Sequence, residues 1–588
     1  MLLSLRKSDV IKSMRGEDKG EKKRYYLAPE LESSIWSPGY LSLFFCLLLS
    51  VFLVSFYFYH IKPYVFLPAD ILMWAETNFV GDIIKIRIGA PIYTDPIDSN
   101  AGIYAPASPL LTYAISWIIG RPTSIITWRV IQLGFVFFAA LIATVCCRIL
   151  HRLAYPHYQT PFRKTWLVFA FLALFLSATA PRTSGFVHCL HADALALLVS
   201  MISFWTMLHY LKRPSWGRMV LMAVCPALGY LTKQFLISWF AVMFVVLLLD
   251  NPKNIRRLFL FIGTGGVFLG IAIGVCYLLW GDSFIFWTFK IMGGGRSKIA
   301  FSVQGFHVSL VRSLDHVIRA WSEIVIGVAG GWLILRGDNI RKLGPLWVGW
   351  IVLVCSEAYT SGAGWGALYH FGPAVVIGTV WLFSALPRFW AWNERTADGT
   401  FSNLLMWTRA CLGIIGVLTL FIAMNVLPTG DKNGPRYWYR RPSPDIYRYI
   451  SDIEKEFDSF PMEKVLLDIG NWIYLSQSVL AKDRAISLGD QAPNGIYENF
   501  DMMVSRIRNK TYLKILVRDF HSPFFLYDWT YWERPSGVKK ALLKHYQEVR
   551  IIPAAEREAL LSPIIMHSGP VSVLIPKLGS KPMPSTER

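Results

Sequence analysis

The sequence predicts a mainly α, polytopic membrane protein of roughly eleven spans, followed by a C-terminal extracytoplasmic α/β domain. Three observations predict it. Of the 588 residues, 54% are hydrophobic and 15% aromatic, and the mean hydropathy is +0.40. That excludes a disordered chain and an ordinary soluble domain. Apolar runs of about 18 residues or more recur between charged loops, and each reads as a spanning helix. From about Pro428 onward the composition becomes that of a soluble domain. The net charge of +20 lies largely in short loops between apolar runs, where topology accounts for it without a nucleic-acid partner.

The elements follow in order. Residues 1–38 are polar and basic (Arg6, Lys7, Lys12, Arg15, Lys19, Lys22, Lys23, Arg24), as expected of a cytoplasmic tail, with no cleavable signal peptide. The first span is Leu41–Tyr59, and a first outer loop covers 60–124. Within it, Pro106–Ile119 is apolar but too short to span and reads as an interfacial helix. The next span, Ile125–Leu150, ends in a basic cytoplasmic loop (Arg148, Arg152, Arg163, Lys164). Further spans are expected at Trp166–Ala180, Ala194–Leu211, Met219–Leu231, Phe235–Leu249, Leu258–Trp280, Trp321–Leu335, Leu346–Tyr359, Phe371–Ala385 and Leu412–Leu427. Basic loops at 212–218, 253–257 and 336–342 share the side of the N-terminus. The odd count places the tail outside, with the first loop.

The membrane domain thus covers 39–427 and the outer domain 428–588. In the tail, helical patterns at Asp445–Phe460 and Ser536–Tyr546 alternate with strand-like runs at Lys464–Leu467, Lys514–Val517 and Val571–Ile575. It has no Gly-rich dinucleotide fingerprint. The eight cysteines lie in or beside apolar runs with none after Cys411, so the tail has no disulfide framework. A lone sequon, Asn509-Lys-Thr511, carries little weight.

The first outer loop concentrates chemistry: Asp70, Glu76 and Asp82, then Lys85, Arg87, Gly89-Ala-Pro-Ile-Tyr93, Asp95, Asp98 and Tyr104-Ala-Pro106. A carboxylate is the usual base for an attacking hydroxyl, which makes Asp70, Glu76 and Asp82 the candidate catalytic residues. On a helix Asp70 and Glu76 would stand about 240° apart, so the two cannot share a face. The plain alternative for Asp70 is an N-cap after Pro68, and for Asp95 a turn residue. The next outer loop brings His188, His191 and Asp193 to the start of a span. Asp193 could simply cap it, and His-x-x-His with an Asp is a weak zinc signal. Lys233, between two spans with almost no loop, must snorkel or meet an anion. The outer loop 281–320 breaches the positive-inside pattern with Lys290, Arg296, Lys298, Arg312 and Arg319 around Gly293-Gly-Gly295, which suits a phosphate or a flexible solvated loop. His370 opens a late span.

Together these pieces resemble the GT-C superfamily of membrane glycosyltransferases, especially the bacterial lipid A aminoarabinose transferases and rhizobial lipopolysaccharide sugar transferases. The resemblance covers most of 39–427. It rests on the acids near Asp70 and Glu76, the Gly89-to-Tyr93 turn, Tyr104 with Pro106 and Pro109, Arg129 in a span, Leu231-Thr-Lys233, and the Tyr369-His370-Phe371 turn. It implies a polyprenyl- or dolichyl-phosphate sugar donor used on the extracytoplasmic face, with inversion. Asp70 or Glu76 would be the base, and Lys233 with the basic loop (Lys290, Arg296, Lys298) would hold the donor phosphate. Tyr93, Tyr104, Arg129, His191, Asp193 and His370 would support the acceptor or the site. Two departures stand out: the family's adjacent Asp-Glu pair is absent, and so is the Trp-Trp-Asp-Tyr-Gly motif of oligosaccharyltransferases.

The expectation is an inverting glycosyltransferase in a bacterial inner membrane, acting on a lipid-linked glycan, envelope polysaccharide or protein. Its donor substrate would be a lipid-phosphate-linked sugar; a divalent metal stays open, with no motif that supports it, and no other cofactor is implied. An envelope-polysaccharide ligase or polymerase would carry its large outer loop mid-chain. A secondary transporter would show internal repeats and mid-span charges, for which Glu323 and Glu357 are the candidates.

Overall fold

The computed structural model describes residues 38–67, 76–96, 102–156, 164–180, 187–291, 303–336, 340–362, 368–392, 444–456, 465–468, 501–518, 520–521, 537–554 and 570–578. Helices dominate them. Helix α1 (Pro38–Val65) leads into the first loop, where α2 (Glu76–Ile88) and α3 (Ala107–Ile118) form. Then come α4 (Ile125–Ala154), α5 (Lys164–Ala178), α6 (Ala192–Lys212), α7 (Trp216–Thr232), α8 (Ser238–Asp250) and α9 (Ile255–Ile285). The series ends with α10 (Val303–Arg319), α11 (Trp321–Leu335), α12 (Ile340–Gly362) and α13 (Gly372–Trp392). Side-chain caps fix several starts: Ser124, Ser215 and Asn254 accept from the amides of Thr127, Arg218 and Arg257.

Each predicted span that falls on described residues coincides with a helix, while Leu412–Leu427 lies outside them. Length tells a more restrained story. Among the described residues four helices, α4, α6, α9 and α12, are long and apolar enough to cross a membrane alone, or five if the bent pair α10–α11 is one span. The apolar helices at Trp166–Ala178, Gln234–Asp250 and Gly372–Pro387 are shorter. At 1.5 Å per residue, fifteen residues reach only about 22 Å, short of a hydrocarbon core of about 30 Å. Among the described residues, helix length alone does not confirm the expected eleven spans. The predicted interfacial piece at Pro106–Ile119 is α3, whose Ser108, Thr112 and Ser116 turn inward while Leu110, Leu111, Trp117 and Ile118 are exposed.

The core is built where small residues let helices touch. A Cβ on Gly330 of α11 would lie 2.3 Å from the Leu382 backbone nitrogen of α13, and one on Gly378 would lie 2.9 Å from the Gly327 Cα. With no hydrophobic drive between helices in lipid, such close backbone packing is what holds them together. Polar groups inside are paired across helices: the Trp166 indole donates to Phe383 O at 3.1 Å and the Trp350 indole to Ala374 O at 2.9 Å. Unpaired, each would cost stability where no water reaches.

Toward the C-terminus, four strands form one mixed sheet: β1 (Val465–Asp468), β2 (Lys514–Arg518), β3 (Tyr546–Ile552) and β4 (Val571–Pro576), in the order β1-β2-β4-β3. β1 and β2 run parallel and the other pairs antiparallel. Helices α14 (Pro444–Lys455), α15 (Asp501–Arg508) and α16 (Val538–His545) accompany them. Both predicted helices and all three predicted strands have counterparts here. β3 had no predicted counterpart, because five exposed residues between its buried ends leave no alternation to read.

The Gly330 contact gives a direct test. Gly330→Ala is expected to destabilise the protein by about 1–3 kcal/mol through overpacking. Gly134→Ala in α4, where nothing lies within 4 Å, is expected to be silent. Thermal unfolding of both variants in matched detergent measures the difference.

Candidate active site

Arg129, one turn into α4, is fully buried with Glu76, the first residue of α2. Its Nε donates to Glu76 Oε1 at 2.8 Å and its Nη2 to Oε2 at 2.7 Å, a bidentate pair. Its Nη1 donates to the carbonyls of Tyr64 (3.1 Å) and Leu67 (2.6 Å), closing the C-terminal end of α1. Glu76 Oε1 also accepts from the Leu190 amide at 2.9 Å. One guanidinium thus ties the exit of α1 and the start of α2, and through Glu76 it reaches the segment before α6. Asp70 belongs to 68–75, outside the described residues. Glu76 is engaged on both oxygens, which leaves it poorly placed to take a proton from a substrate.

The Leu190 tie sets up its neighbours. Asp193, in the first turn of α6, accepts a hydrogen bond from Lys233 Nζ. His191 Nδ1 lies 2.9 Å from Asp193 Oδ2. The His191 ring meets Phe79 and Tyr104 edge-on at 4.9 and 5.6 Å. Lys233 ends α7 in extended conformation, before the 3-10 turn Gln234–Ile237, its ammonium 5.2 Å from the Phe235 ring centre and 6.0 Å from that of Tyr104. His370, on the turn Leu368–Phe371, packs against Phe235 at 5.2 Å. Asp193, Phe235 and the start of α13 (Gly372, Pro373) line one narrow recess. Lys233 is therefore not snorkelling; a buried carboxylate holds it.

Residues 102–104 run between this cluster and Asp82. Gln234 Nε2 donates to Ile103 O at 2.9 Å, and the Tyr93 hydroxyl donates to Tyr104 O at 2.7 Å. A Cβ on Gly102 would lie 2.7 Å from Asp82 Oδ2, so only glycine lets the carboxyl sit there. Asp82 is only 4% exposed. Burial pushes its pKa up to about 7, against the pull of Lys85. Burial, with Asp82 nearby, likewise holds the Tyr93 hydroxyl well above its usual range. A carboxyl poised near neutrality is what general-base chemistry requires.

The basic loop gives less. Lys290 is exposed on a π-helical turn, Phe286–Ile291, with its ammonium 6.0 Å from the Phe286 ring centre. Arg296 and Lys298 lie outside the described residues. Among the described residues no three His, Cys, Asp or Glu side chains converge to hold a metal, so His188, His191 and Asp193 do not form the ligand set their spacing allowed. Sequence reasoning missed Gly102, Phe79 and the Leu190 amide, which act through backbone space, ring edge and main chain.

Archaeal oligosaccharyltransferase AglB from Archaeoglobus fulgidus, solved with an inhibitory peptide and a dolichol-phosphate, matches with TM-score 0.50 at 12% identity, over 93% of this chain and 89% of that one. The chain shares the fold of this oligosaccharyltransferase. The apo crystal structure of an A. fulgidus oligosaccharyltransferase aligns at TM-score 0.49 and 12% identity, over 88% of this chain and 74% of that one. No protein-family model matches the chain, and no curated protein matches it in sequence. The Arg129 clasp, the Asp193–Lys233 pair and Asp82 all gather at the loop between α1 and α4 and the helix ends facing it.

Two predictions follow from this geometry. Arg129→Met leaves the Glu76 charge buried and is expected to cost about 3–5 kcal/mol, with much of that recovered in the Arg129→Met/Glu76→Leu double variant. Denaturation in matched micelles reads the cycle. For Asp82 the folded pKa is raised, so the folded state binds the extra proton. Stability should fall as pH rises from about 4, the unfolded value, to about 7, and flatten above it. Asp82→Asn should abolish that dependence in a pH series of melting temperatures.

Proposed function

We propose that this chain is an inverting glycosyltransferase that moves a sugar from a polyprenyl-phosphate donor to a lipid-linked glycan, envelope polysaccharide or protein. On this reading the active face is extracytoplasmic, the N-terminus cytoplasmic, the host membrane a bacterial inner membrane, and the sheet-bearing C-terminal region an outer α/β domain near the acceptor. The observation that carries it is the Asp82 carboxyl, buried near neutrality opposite Gly102, in a chain with the GT-C fold. In the neighbour AglB structure, a peptide and a dolichol-phosphate are bound together. That supports a lipid-phosphate donor and a non-lipid acceptor here by fold analogy.

In this mechanism ionised Asp82 takes the proton of the acceptor hydroxyl as its oxygen attacks the anomeric carbon. The bond from that carbon to the donor phosphate oxygen breaks on the opposite face, and the electron pair leaves with the phosphate. Lys233, held by Asp193, is the cation this reading assigns to the leaving phosphate. Glu76 and Arg129 hold the loop and act as positioning residues. Asp70 remains a second acid for the same loop.

The test is transfer from a synthetic polyprenyl-phosphate sugar by purified protein. Asp82→Asn is expected to lower kcat by about 10²-fold or more with little change in donor KM. The wild-type rate should rise with pH through an apparent pKa of about 7, because only the ionised carboxylate accepts a proton. Lys233→Met should raise donor KM. Full activity in Asp82→Asn together with loss in Asp70→Asn would move the base to Asp70; full activity in both would sink the reading.

A further inference from the structure

The segment 303–319 was expected to be part of a basic, phosphate-binding loop. It is a helix, α10, and its three faces differ sharply. At 100° per residue, Ser309, Ser313, His316 and Ala320 fall on one arc. That arc turns inward: Ser309 and Ser313 are buried, His316 Nδ1 lies 3.0 Å from Ser361 Oγ of α12, and a Cβ on Gly362 would lie 2.2 Å from Ser313 Oγ. Leu310, Val311, Leu314 and Ile318 form the second arc and are 46%, 51%, 54% and 67% exposed. Arg312, Asp315 and Arg319 form the third, with Arg319 Nε 2.8 Å from Asp315 Oδ2. Small polar residues pack inward, and the large apolar ones face out.

The next helix fixes the orientation. α10 meets α11 at 73° across a break at Ala320. α11 is an apolar helix whose exposed side carries Trp321, Val325, Val328 and Trp332, so its outer face suits lipid. α11 packs along α13 within the helix bundle, and a helix bent 73° from it runs across that bundle rather than along it. The charged arc rules out the hydrocarbon centre, and the exposed leucines rule out water.

We propose that α10 is an interfacial helix. Its Leu310-Val311-Leu314-Ile318 face sits in the headgroup–acyl boundary, and Arg312 and Arg319 reach the lipid phosphates. The occupant of this face is the bilayer itself, continuous with the lipid-facing side of α11. The geometry is that of amphipathic helices whose apolar face enters the boundary by about 5–10 Å, with cations on the polar side. The inference stands apart from the proposed chemistry, since it uses no residue of the Asp82 or Lys233 clusters.

Spin labels on the full-length chain in nanodiscs of phosphatidylcholine and phosphatidylglycerol test it. Leu314→Cys and Arg312→Cys are labelled separately, and the unsubstituted protein supplies the background from native cysteines. Both sites are exposed, so neither change disturbs packing. The label at 314 should show a several-fold higher ratio of oxygen to nickel-chelate accessibility than the label at 312. Equal nickel access at both positions would mean that the face meets water, and would overturn the proposal. Shielding of 314 from both reagents would mean that a protein covers it, and would overturn it equally.

Discussion

The loop between α1 and α4 depends on one buried guanidinium. Arg129 makes two bonds to Glu76 and two to the carbonyls that end α1. A charge so deep is tolerable only because every bond is made at once; an arginine with half those partners would cost more than it contributes. Loss of any one tie therefore weakens the others. That makes the first loop a single unit rather than a tether between two spans.

From this clasp the candidate site is reached in short steps. Glu76 holds the Leu190 amide, and three residues later Asp193 holds Lys233. Gln234, the next residue, holds the carbonyl of Ile103, and Gly102 beside it makes room for Asp82. Charge, packing and backbone alternate along the path. The arrangement joins a fixed cation and a carboxylate of elevated pKa around one short bend of backbone. Such a pairing suits a reaction that must both accept a proton and stabilise a departing anion.

Much of the fold was legible because apolar run length is a strong signal in a membrane chain. The predicted Trp321–Leu335 span has the same bounds as α11, and Ile125–Leu150 needs only four more residues to become α4. Helix length was less legible: the sequence cannot distinguish a short apolar helix buried in a bundle from one that crosses lipid. The site was half legible. Charged residues in apolar surroundings announced Arg129, Asp193 and Lys233, but not which of them pair. Glu76 read as a candidate base because a carboxylate beside a loop looks the same whether or not a guanidinium 53 positions away claims it. Asp82 ranked behind it because burial, the cause of its shift, has no local signature. The basic loop misled where α10 is concerned, since loop charge and helix amphipathicity overlap in one stretch.

Helix α9 carries a last consequence. It breaks at Gly281, whose φ of 59° few other residues would accept. Beyond the break, the Trp287 indole is anchored to Thr94 O of the first loop at 2.8 Å. The long arm before the break is largely exposed, with Val267, Ile271, Val275, Leu278 and Leu279 facing outward. Such an arm must tilt to match the thickness of whatever bilayer surrounds it. Gly281 lets the chain turn between that arm and the anchored turn. The change of direction at Gly281 therefore falls between the lipid-length arm and the turn that Trp287 ties to the first loop.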